Sequence, residues 1–338
     1  MNKKTFKTVL STVAAAVALS ACTMIPKYEQ PQVEVAETFK YDTFDDGIRA
    51  ADLGWQDFFA DPRLHRLIDI ALERNTDLRT AALNAEIYRK QYMIARNNLL
   101  PSINASGTGT RTGSLSGGVT RSEYSVGLGV AAYELDLFGR VRSNSQAALQ
   151  GYFSVAANRD AAHLALIAAV AKAHFNELYA QESMALAQRV LKTREATYKL
   201  SQMRHKVGVI SAVDLRQQEA LIESAKADYA NAVKNREQAR NALATLINQP
   251  LPEDLPAALP LSKQFKITRL PAGLSSEVLL NRPDIRAAEH SLKQANANIG
   301  AARAAFFPTI SLTGSVGTAS GELSGLFKSG TGIWSFAP

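Results

Sequence analysis

Cysteine is nearly absent from this 338-residue chain, since Cys22 is the only one. The chain can therefore form no intramolecular disulfide and offers no Cys–His site. The five histidines show no metal-ligand spacing such as HExxH, and no glycine-rich run ends in the Lys-Ser or Lys-Thr of a phosphate-binding loop. We expect no metal, no cofactor and no enzymatic activity. His163 and His174 are interpreted as packing or hydrogen-bonding groups of a helix.

No long segment carries charge of a single sign. The formal net charge is +7, but Lys and Arg are spread along helical stretches with Glu and Asp among them. That distribution is typical of a solvated surface and not of a nucleic-acid site. We expect no nucleic-acid partner.

Proline is missing between Pro101 and Pro250, and much of this stretch is rich in alanine. Apolar residues recur there in steps of three and four, a period of about 3.5 that predicts coiled-coil seams. One seam is Leu164, Ala168, Ala171, Phe175 and Leu178, and the other is Leu215, Gln218, Ile222, Ala225, Tyr229, Ala232, Arg236, Ala239, Leu243 and Leu246. A helix over 147–203 would be roughly 85 Å long, which is too long for the inside of a compact globule.

The N-terminus predicts export and lipidation. Lys3, Lys4 and Lys7 precede an apolar run, Val9–Leu19, that is too short to span a bilayer. Leu19-Ser20-Ala21-Cys22 resembles the bacterial lipoprotein signal, so residues 1–21 are interpreted as a signal peptide. The resemblance implies a diacylglycerol thioether and an N-acyl chain, such as palmitate, on Cys22. The alternative is an ordinary secretory signal with a chance cysteine.

Residues 101–140 predict a β-hairpin between two helices. Tyr124, Val126, Leu128 and Val130 alternate with small residues, and Ser116-Gly117-Gly118 marks the turn. Before the hairpin, Asp61-Pro62 predicts the start of one helix that continues to about Asn98. Strands with one apolar face in an exported lipoprotein are typical of a transmembrane β-structure.

The helix–proline–strand passage occurs twice. Residues 74–79 align with 281–286 without a gap, Pro101 with Pro308, and a further strand pattern covers 309–317. This divides the chain into a lipidated extended segment (22–60), a first repeat (61–249, with hairpin 102–136), a proline-rich linker (250–276) and a second repeat (277–338). The register would end the second repeat at roughly position 456. We therefore expect either a fragment of a longer chain or a truncated, non-functional product.

A tight turn between the two long helices is predicted at 204–214. Gly208 ends the first helix, and Ser211 with Asp214 forms an acidic capping box that starts the second. Val207 and Val209 flank the glycine. Either they are offered to a partner or they close the turn against neighbouring helices.

A fourth strand begins at Gly332-Ile333-Trp334-Ser335-Phe336. Four strands cannot close a membrane barrel alone, because open sheet edges in lipid leave unpaired backbone groups. Each chain would therefore give its strands to one shared barrel, and the long helices would pack into a tube that continues it. We expect an α+β membrane protein: a shared transmembrane β-barrel continued by a periplasmic α-helical coiled-coil barrel, with two repeats per chain, the second incomplete.

Several motifs together resemble the outer-membrane factor family, the TolC-type channels, in its lipoprotein branch. They are the lipoprotein signal, Asp61-Pro62-x-Leu64, Asn75-x-Asp77-Leu78, Leu100-Pro101, the run from Tyr133 to Gly139, and Arg204-x-x-x-Gly208-x-x-Ser211. The resemblance implies a homotrimeric outer-membrane duct for drugs, detergents and other hydrophobic or cationic compounds. It also implies a periplasmic adaptor protein and an inner-membrane RND transporter as partners.

The resemblance assigns adaptor docking to the turn between the long helices. The residues concerned are Arg204, Val207, Gly208, Val209, Ser211 and Asp214. Two other functions stay open, a channel for type I protein secretion and a periplasmic coiled-coil lipoprotein without a channel.

Overall fold

The computed structural model describes residues 23–30, 53–115, 117–267 and 276–338. The predicted signal peptide, Cys22 and Ser116 of the predicted turn lie outside these ranges. The helices are α1 (Trp55–Phe58), α2 (Pro62–Arg74), α3 (Thr76–Asn97), α4 (Arg140–Lys206), α5 (Ala212–Leu246) and α6 (Pro283–Ala304), and the strands are β1 (Ile103–Thr112), β2 (Arg121–Leu135), β3 (Ile310–Ser320) and β4 (Gly332–Ala337). Within the described ranges, no helix combines the length and the apolar character needed to cross a membrane.

The described residues divide into two compact units. Unit 1 takes its residues from 1–32, 84–156 and 287–338, and unit 2 from 33–83 and 157–286. The repeat boundaries at 61–249, 250–276 and 277–338 cut the chain differently. The reason is that each compact unit combines segments from both repeats.

Unit 1 contains a four-stranded antiparallel sheet in the order β1-β2-β3-β4. The predicted hairpin is confirmed, since β1 and β2 pair from Ile103 with Val130 to Thr112 with Arg121. The strand predicted at 309–317 is β3, which pairs with both β2 and β4. The fold is therefore α+β.

Unit 2 is held together by an apolar cluster around α2. Asp61 caps this helix by accepting a hydrogen bond from the Arg63 amide at 2.9 Å, with Pro62 at the first helical position, as predicted. The buried members of the cluster are Phe59, Leu64, Leu67, Ile68, Ile70, Ala71, Leu166, Ile167, Val170, Ala171, Leu243 and Ile247. These residues join α2, α4 and α5 in one core.

The prediction of one helix from Asp61 to about Asn98 is wrong, because the helix breaks at Asn75. Asn75 has extended backbone angles, and its Oδ1 accepts hydrogen bonds at 3.0 Å from the amides of Asp77 and Leu78. Its Nδ2 donates to the Leu246 carbonyl oxygen at 3.0 Å. The side chain thus caps α3 and binds the end of α5. Together these three hydrogen bonds stabilise the break more than continued helical hydrogen bonding would stabilise a single helix.

The long helices confirm the seam predicted on α5 and three of the five residues of the seam predicted on α4. Every seam residue predicted on α5 is buried or half-buried. On α4, which has 67 residues and is therefore about 100 Å long, Leu164 is 54% exposed. Ala168 is exposed as well, whereas Ala171 and Leu178 are buried and Phe175 is half-buried, as predicted. Ile167, Val170 and His174 complete the buried stripe of α4. Leu164 and Ala168 were placed on the wrong face because a run rich in alanine and leucine fits several helical stripes.

Candidate functional site: a two-faced sheet and a hairpin tip

One face of the sheet in unit 1 is apolar. The pairing places Leu128 beside Val316 and Val316 beside Trp334. Leu128 is 53%, Val316 63% and Trp334 80% exposed. The neighbouring row contains Val130 and Phe336. A continuous apolar surface of this kind, facing outward from a sheet, suits contact with lipid.

The opposite face of the same sheet is small and polar. The Thr108 and Ser125 hydroxyls lie 2.7 Å apart, and so do the hydroxyls of Ser315 and Ser335. Such hydroxyl pairs across strands stabilise the sheet while keeping its surface compatible with water. The sheet therefore separates an apolar side from a polar side, as a channel wall requires.

Two paired glycines allow β2 and β3 to approach closely. A Cβ at Gly127 would lie 2.8 Å from the Val316 carbonyl oxygen, and a Cβ at Gly317 would lie 2.3 Å from the Val126 carbonyl oxygen. Neither oxygen belongs to a flexible side chain, so a substitution would separate the strands. These glycines were not singled out as a pair in the sequence, because their partnership depends on the register between distant strands.

The end of β2 passes into α4 through an irregular, charged junction. The β2–β3 register shifts between Val130 and Tyr133, and Ala132 has a positive φ of 51°. Asp136 then caps α4, with its two oxygens accepting the amides of Val141 and Arg142, each at 2.9 Å. Acidic residues suit this position because the amides at a helix N-terminus lack intrahelical partners.

Two ion pairs reinforce the same junction. The Arg142 Nε lies 3.0 Å from Asp136 Oδ2, and the Arg140 guanidinium contacts the Glu134 carboxylate. The sequence motif from Tyr133 to Gly139 predicted family membership but not these roles. The only local signal was a basic residue six positions after each acidic one.

The predicted tip between α4 and α5 is a compact turn in unit 2. Gly208 has a φ of +76°, its amide donates to the His205 carbonyl oxygen at 3.0 Å, and the Val209 amide donates to the Arg204 carbonyl oxygen at 2.9 Å. This is a Schellman ending, in which glycine takes the left-handed position without strain. His205 Nδ1 also lies 3.1 Å from the Ile210 carbonyl oxygen.

The start of α5 contains the predicted capping box. The Asp214 amide donates to Ser211 Oγ at 3.1 Å, and the Ser211 amide donates to Asp214 Oδ2 at 3.1 Å. Hydrogen bonds from Ser211 lower the pKa of Asp214 below its ordinary value. With both helix ends satisfied internally, the tip keeps its shape without needing a partner to complete it.

The apolar residues of the tip face solvent. Val207 is 75% exposed and Val209 67% exposed, and Val213 on the first turn of α5 is 66% exposed. They do not close the turn against neighbouring helices of this chain. The turn therefore presents three valines on a rigid backbone, with Arg204 and Asp214 nearby.

A buried polar cluster in unit 2 was not predicted. Asp61, His174 and Gln264 are almost completely buried. Asp61 Oδ2 lies 3.0 Å from His174 Nε2 and accepts hydrogen bonds from Gln264 Nε2 at 3.0 Å and the Leu259 amide at 3.1 Å. The cluster fastens the linker to α2 and α4. The sequence carries no local signal for it, since Gln264 is 203 positions from Asp61.

Burial opposes ionisation in this cluster, and hydrogen bonding partly reverses the effect. Burial lowers the pKa of His174 more than the hydrogen bond and the charge of Asp61 raise it, so the imidazole is neutral near pH 7. Burial alone would raise the pKa of Asp61, but hydrogen bonds from Gln264, His174 and the Arg63 amide bring it below its ordinary value. His174 thus acts as the hydrogen-bonding helix group that the sequence indicated.

Across the described ranges, no group of three or more His, Cys, Asp and Glu side chains could hold a metal ion. What the geometry defines is a class of membrane protein that combines a two-faced β-sheet with very long helices and a rigid, apolar hairpin tip.

Comparison with known proteins narrows this class. The family model "Outer membrane efflux protein" matches residues 67–249 and 274–338. The probable efflux pump outer membrane protein TtgC of Pseudomonas putida is 42% identical over 346 residues, covering 98% of this chain and 71% of TtgC. The cation efflux system protein CusC of Escherichia coli O157:H7 is 39% identical over 330 residues, covering 96% of this chain and 71% of CusC.

A solved structure agrees with the sequence relatives. The open state of the Neisseria gonorrhoeae MtrE outer membrane channel is 73% identical, with a TM-score of 0.86 over 94% of this chain and 71% of the MtrE chain. The chain belongs to the outer membrane efflux protein family. It is an outer-membrane channel component of an efflux pump, and the fold, localisation and family predicted from the sequence are confirmed.

Proposed function

We propose that the chain is the exit duct of a tripartite multidrug efflux pump. Three copies share one barrel and a helical tunnel, and the duct passively passes drugs, detergents and other hydrophobic or cationic compounds without any enzymatic step. The two-faced sheet supports the shared barrel, because its outer edges at β1 and β4 need further strands in a membrane. The periplasmic partners are an adaptor protein and an inner-membrane RND transporter.

The proposal includes a lipid anchor on Cys22. This residue becomes the N-terminus of the mature chain when a signal peptide ending at Ala21 is removed. The lipoprotein signal at Leu19-Ser20-Ala21-Cys22 supports it. Intact mass measurement of the mature protein tests the anchor directly. We expect Cys22→Ala to remove the acyl mass while the chain still enters the outer-membrane fraction as an oligomer.

The assignment of the adaptor site rests on the exposed valines of the tip. Val207 and Val209 stand on either side of Gly208 in a turn whose backbone hydrogen bonds are complete. Exposed apolar residues on a preformed turn bind a partner with little loss of conformational entropy. An adaptor with apolar residues at its own helical tip fits this surface, and Arg204, Ser211 and Asp214 supply polar contacts around it.

Substitution of Gly208 tests the docking site. Gly208→Asp places a charged side chain between the valines at a φ of +76°, where nothing lies within 4 Å of the new Cβ. We expect at least a tenfold loss of adaptor cross-linking and a matching loss of drug resistance in cells that depend on this channel, because a buried charge in an apolar contact is unfavourable.

A matched control separates docking from backbone strain. Gly330, in the loop between β3 and β4, has a φ of +89° and also has nothing within 4 Å of an added Cβ. Gly330→Asp introduces the same charge and the same strain away from the tip, and should leave cross-linking unchanged. Equal cross-linking by both variants and the wild type would contradict the docking assignment.

A further inference from the structure

The N-terminal segment next to the proposed lipid site lies along one face of α6. Ile25, Pro26 and Tyr28 contact α6 residues spaced three and four apart, in reverse order along the helix. The Asn296 Nδ2 donates to the Pro26 carbonyl oxygen at 2.8 Å, and the Lys293 Nζ lies 5.2 Å from the centre of the Tyr28 ring. The segment and this part of α6 both belong to unit 1.

Gly300 makes the closest of these approaches possible. A Cβ built on Gly300 would lie 2.6 Å from Ile25 Cγ1, 2.8 Å from its amide nitrogen and 2.9 Å from its Cα. Glycine is a poor helix former, so its place inside α6 needs a compensating contact. Here the compensation is room for the backbone of a second segment.

The first repeat shows that this surface is not a general property of the duplicated helix. In the repeat register, Lys293, Asn296 and Gly300 correspond to Glu86, Arg89 and Met93 of α3. Arg89 and Glu86 form an ion pair with each other at 2.8 Å, and Met93 is 48% exposed. Lys293 also has an acidic partner, Glu289 at 2.7 Å, so the two repeats differ mainly where Asn296 and Gly300 replace Arg89 and Met93 with an amide donor and a gap.

We propose that Lys293, Asn296 and Gly300 form an intramolecular docking site that holds Ile25–Tyr28 and thereby ties the lipid-bearing N-terminus to unit 1. The consequence for the anchor rests on the lipidation proposed above. Only Thr23 and Met24 separate Ile25 from Cys22, which limits the reach of the lipid from this site to about 10 Å. A lipid on Cys22 would then stay within that distance of Ile25, and would not act as a tether on a long free linker.

Trypsin cleavage after Lys27 measures the docking site directly. The Lys27 side chain is 87% exposed, while its neighbours Pro26 and Tyr28 are the residues that contact α6. A protease needs several residues of extended, detached chain, so docking slows cleavage at this bond. The assay uses the full-length protein purified from its membrane, with cleavage followed by the mass of the released Cys22–Lys27 peptide.

Gly300→Ala should accelerate this cleavage about tenfold. The methyl group displaces Ile25 but favours helix formation, so the circular dichroism of α6 and the rest of the chain should be unchanged. Gly151→Ala is the control, because its Cβ would meet only the flexible side chain of Gln294, at 3.1 Å. Equal rates for the two glycine variants would overturn the docking site.

A second pair of variants removes only a hydrogen bond. Asn296→Ala should accelerate cleavage about threefold by deleting the contact with Pro26, whereas Asn298→Ala, at an exposed position of the same helix, should not. The mass of the released peptide reports lipidation independently. An unmodified Cys22 would refute the lipid anchor alone, while the ratios of the cleavage rates would still decide the docking site.

Discussion

The two copies of the duplicated passage have the same secondary structure but different surroundings. α3 and α6 each have 22 residues, and β1 and β3 have 10 and 11. Among the described residues, α3 buries Ala85, whereas α6 buries Ala287, Ala297, Gly300 and Ala304. Duplication has preserved the lengths of the elements, while small residues determine which copy is closely packed.

The strands show the same difference. β1 has a neighbour on one side, but β3 lies between β2 and β4. At the position where β1 has Thr110, β3 has Gly317, which allows the close approach to Val126. The second copy is therefore specialised for an interior position. Exchanging residues between the copies should reveal which of these differences matter.

The largest expected effect comes from Gly317→Thr, which gives the second copy the residue of the first. Its Cβ would meet the Val126 carbonyl oxygen at 2.3 Å, so β2 and β3 could not keep their register. We expect almost complete loss of folded oligomer from the outer-membrane fraction, measured by heat-dependent mobility on gels. The reverse exchange, Thr110→Gly, lies on the exposed β1 and should leave most of the oligomer. Normal oligomer from Gly317→Thr would show that the strand spacing is adjustable.

The segments that precede the two copies also differ. The first copy is preceded by α2, and the second is preceded by a 3-10 turn, Ser276–Asn281. Asp61→Asn tests what holds α2. Asn can accept at only one oxygen and places N–H donors against those around Asp61, so we expect a loss of about 3 kcal/mol in the free energy of unfolding. Thermal unfolding in detergent, followed by circular dichroism, measures it. The control is Asp57→Asn at an exposed position, and equal stability of the two variants would refute the role of the cluster.

The caps of α3 and α6 provide a third comparison. Asn75 caps α3 through two backbone amides, while the corresponding Arg282 pairs with Asp284 on the surface. Asn75→Ala should cost about 1 to 2 kcal/mol, whereas Arg282→Ala should cost less than about 0.5 kcal/mol. Denaturant unfolding compares them. A larger loss from the arginine variant would show that the surface pair, and not the buried cap, matters.

Local patterns predicted much of this molecule, because periodicity and capping depend on neighbouring residues. The hairpin, the α5 seam, the cap at Asp61 and the box at Ser211 all followed from spacing. The break at Asn75 was missed although its cap on the Asp77 and Leu78 amides is local, and only its bond to Leu246 joins segments that are far apart in sequence. The Gly127–Gly317 pair and the site at Gly300 were missed because their partners are distant in sequence. Contacts between distant segments need the register of the fold, which no single stretch contains.

The smallest expected effect is a pH dependence of the free energy of unfolding. It arises from His174, which contacts Asp61 at the start of α2. Burial lowers the pKa of His174, which faces Asp61, Glu177 and Arg63, so the folded chain resists a proton that the unfolded chain accepts near pH 6.5. Stability should therefore fall as the pH decreases from 7.5 to 6, by at most about 1 kcal/mol. The pKa of Asp61 is also lowered, so its contribution persists throughout this range and is lost only in stronger acid.

His174→Gln isolates the contribution of this histidine, because an amide can still donate to Asp61 but does not titrate. The difference in melting temperature between pH 7.5 and pH 6 should be smaller in this variant than in the wild type. His163→Gln, which changes a half-buried histidine on the same helix, controls for the loss of an imidazole. If His174→Gln kept the full pH dependence, the titration would arise elsewhere, and the buried cluster would be a structural fastening without a pH response in this range.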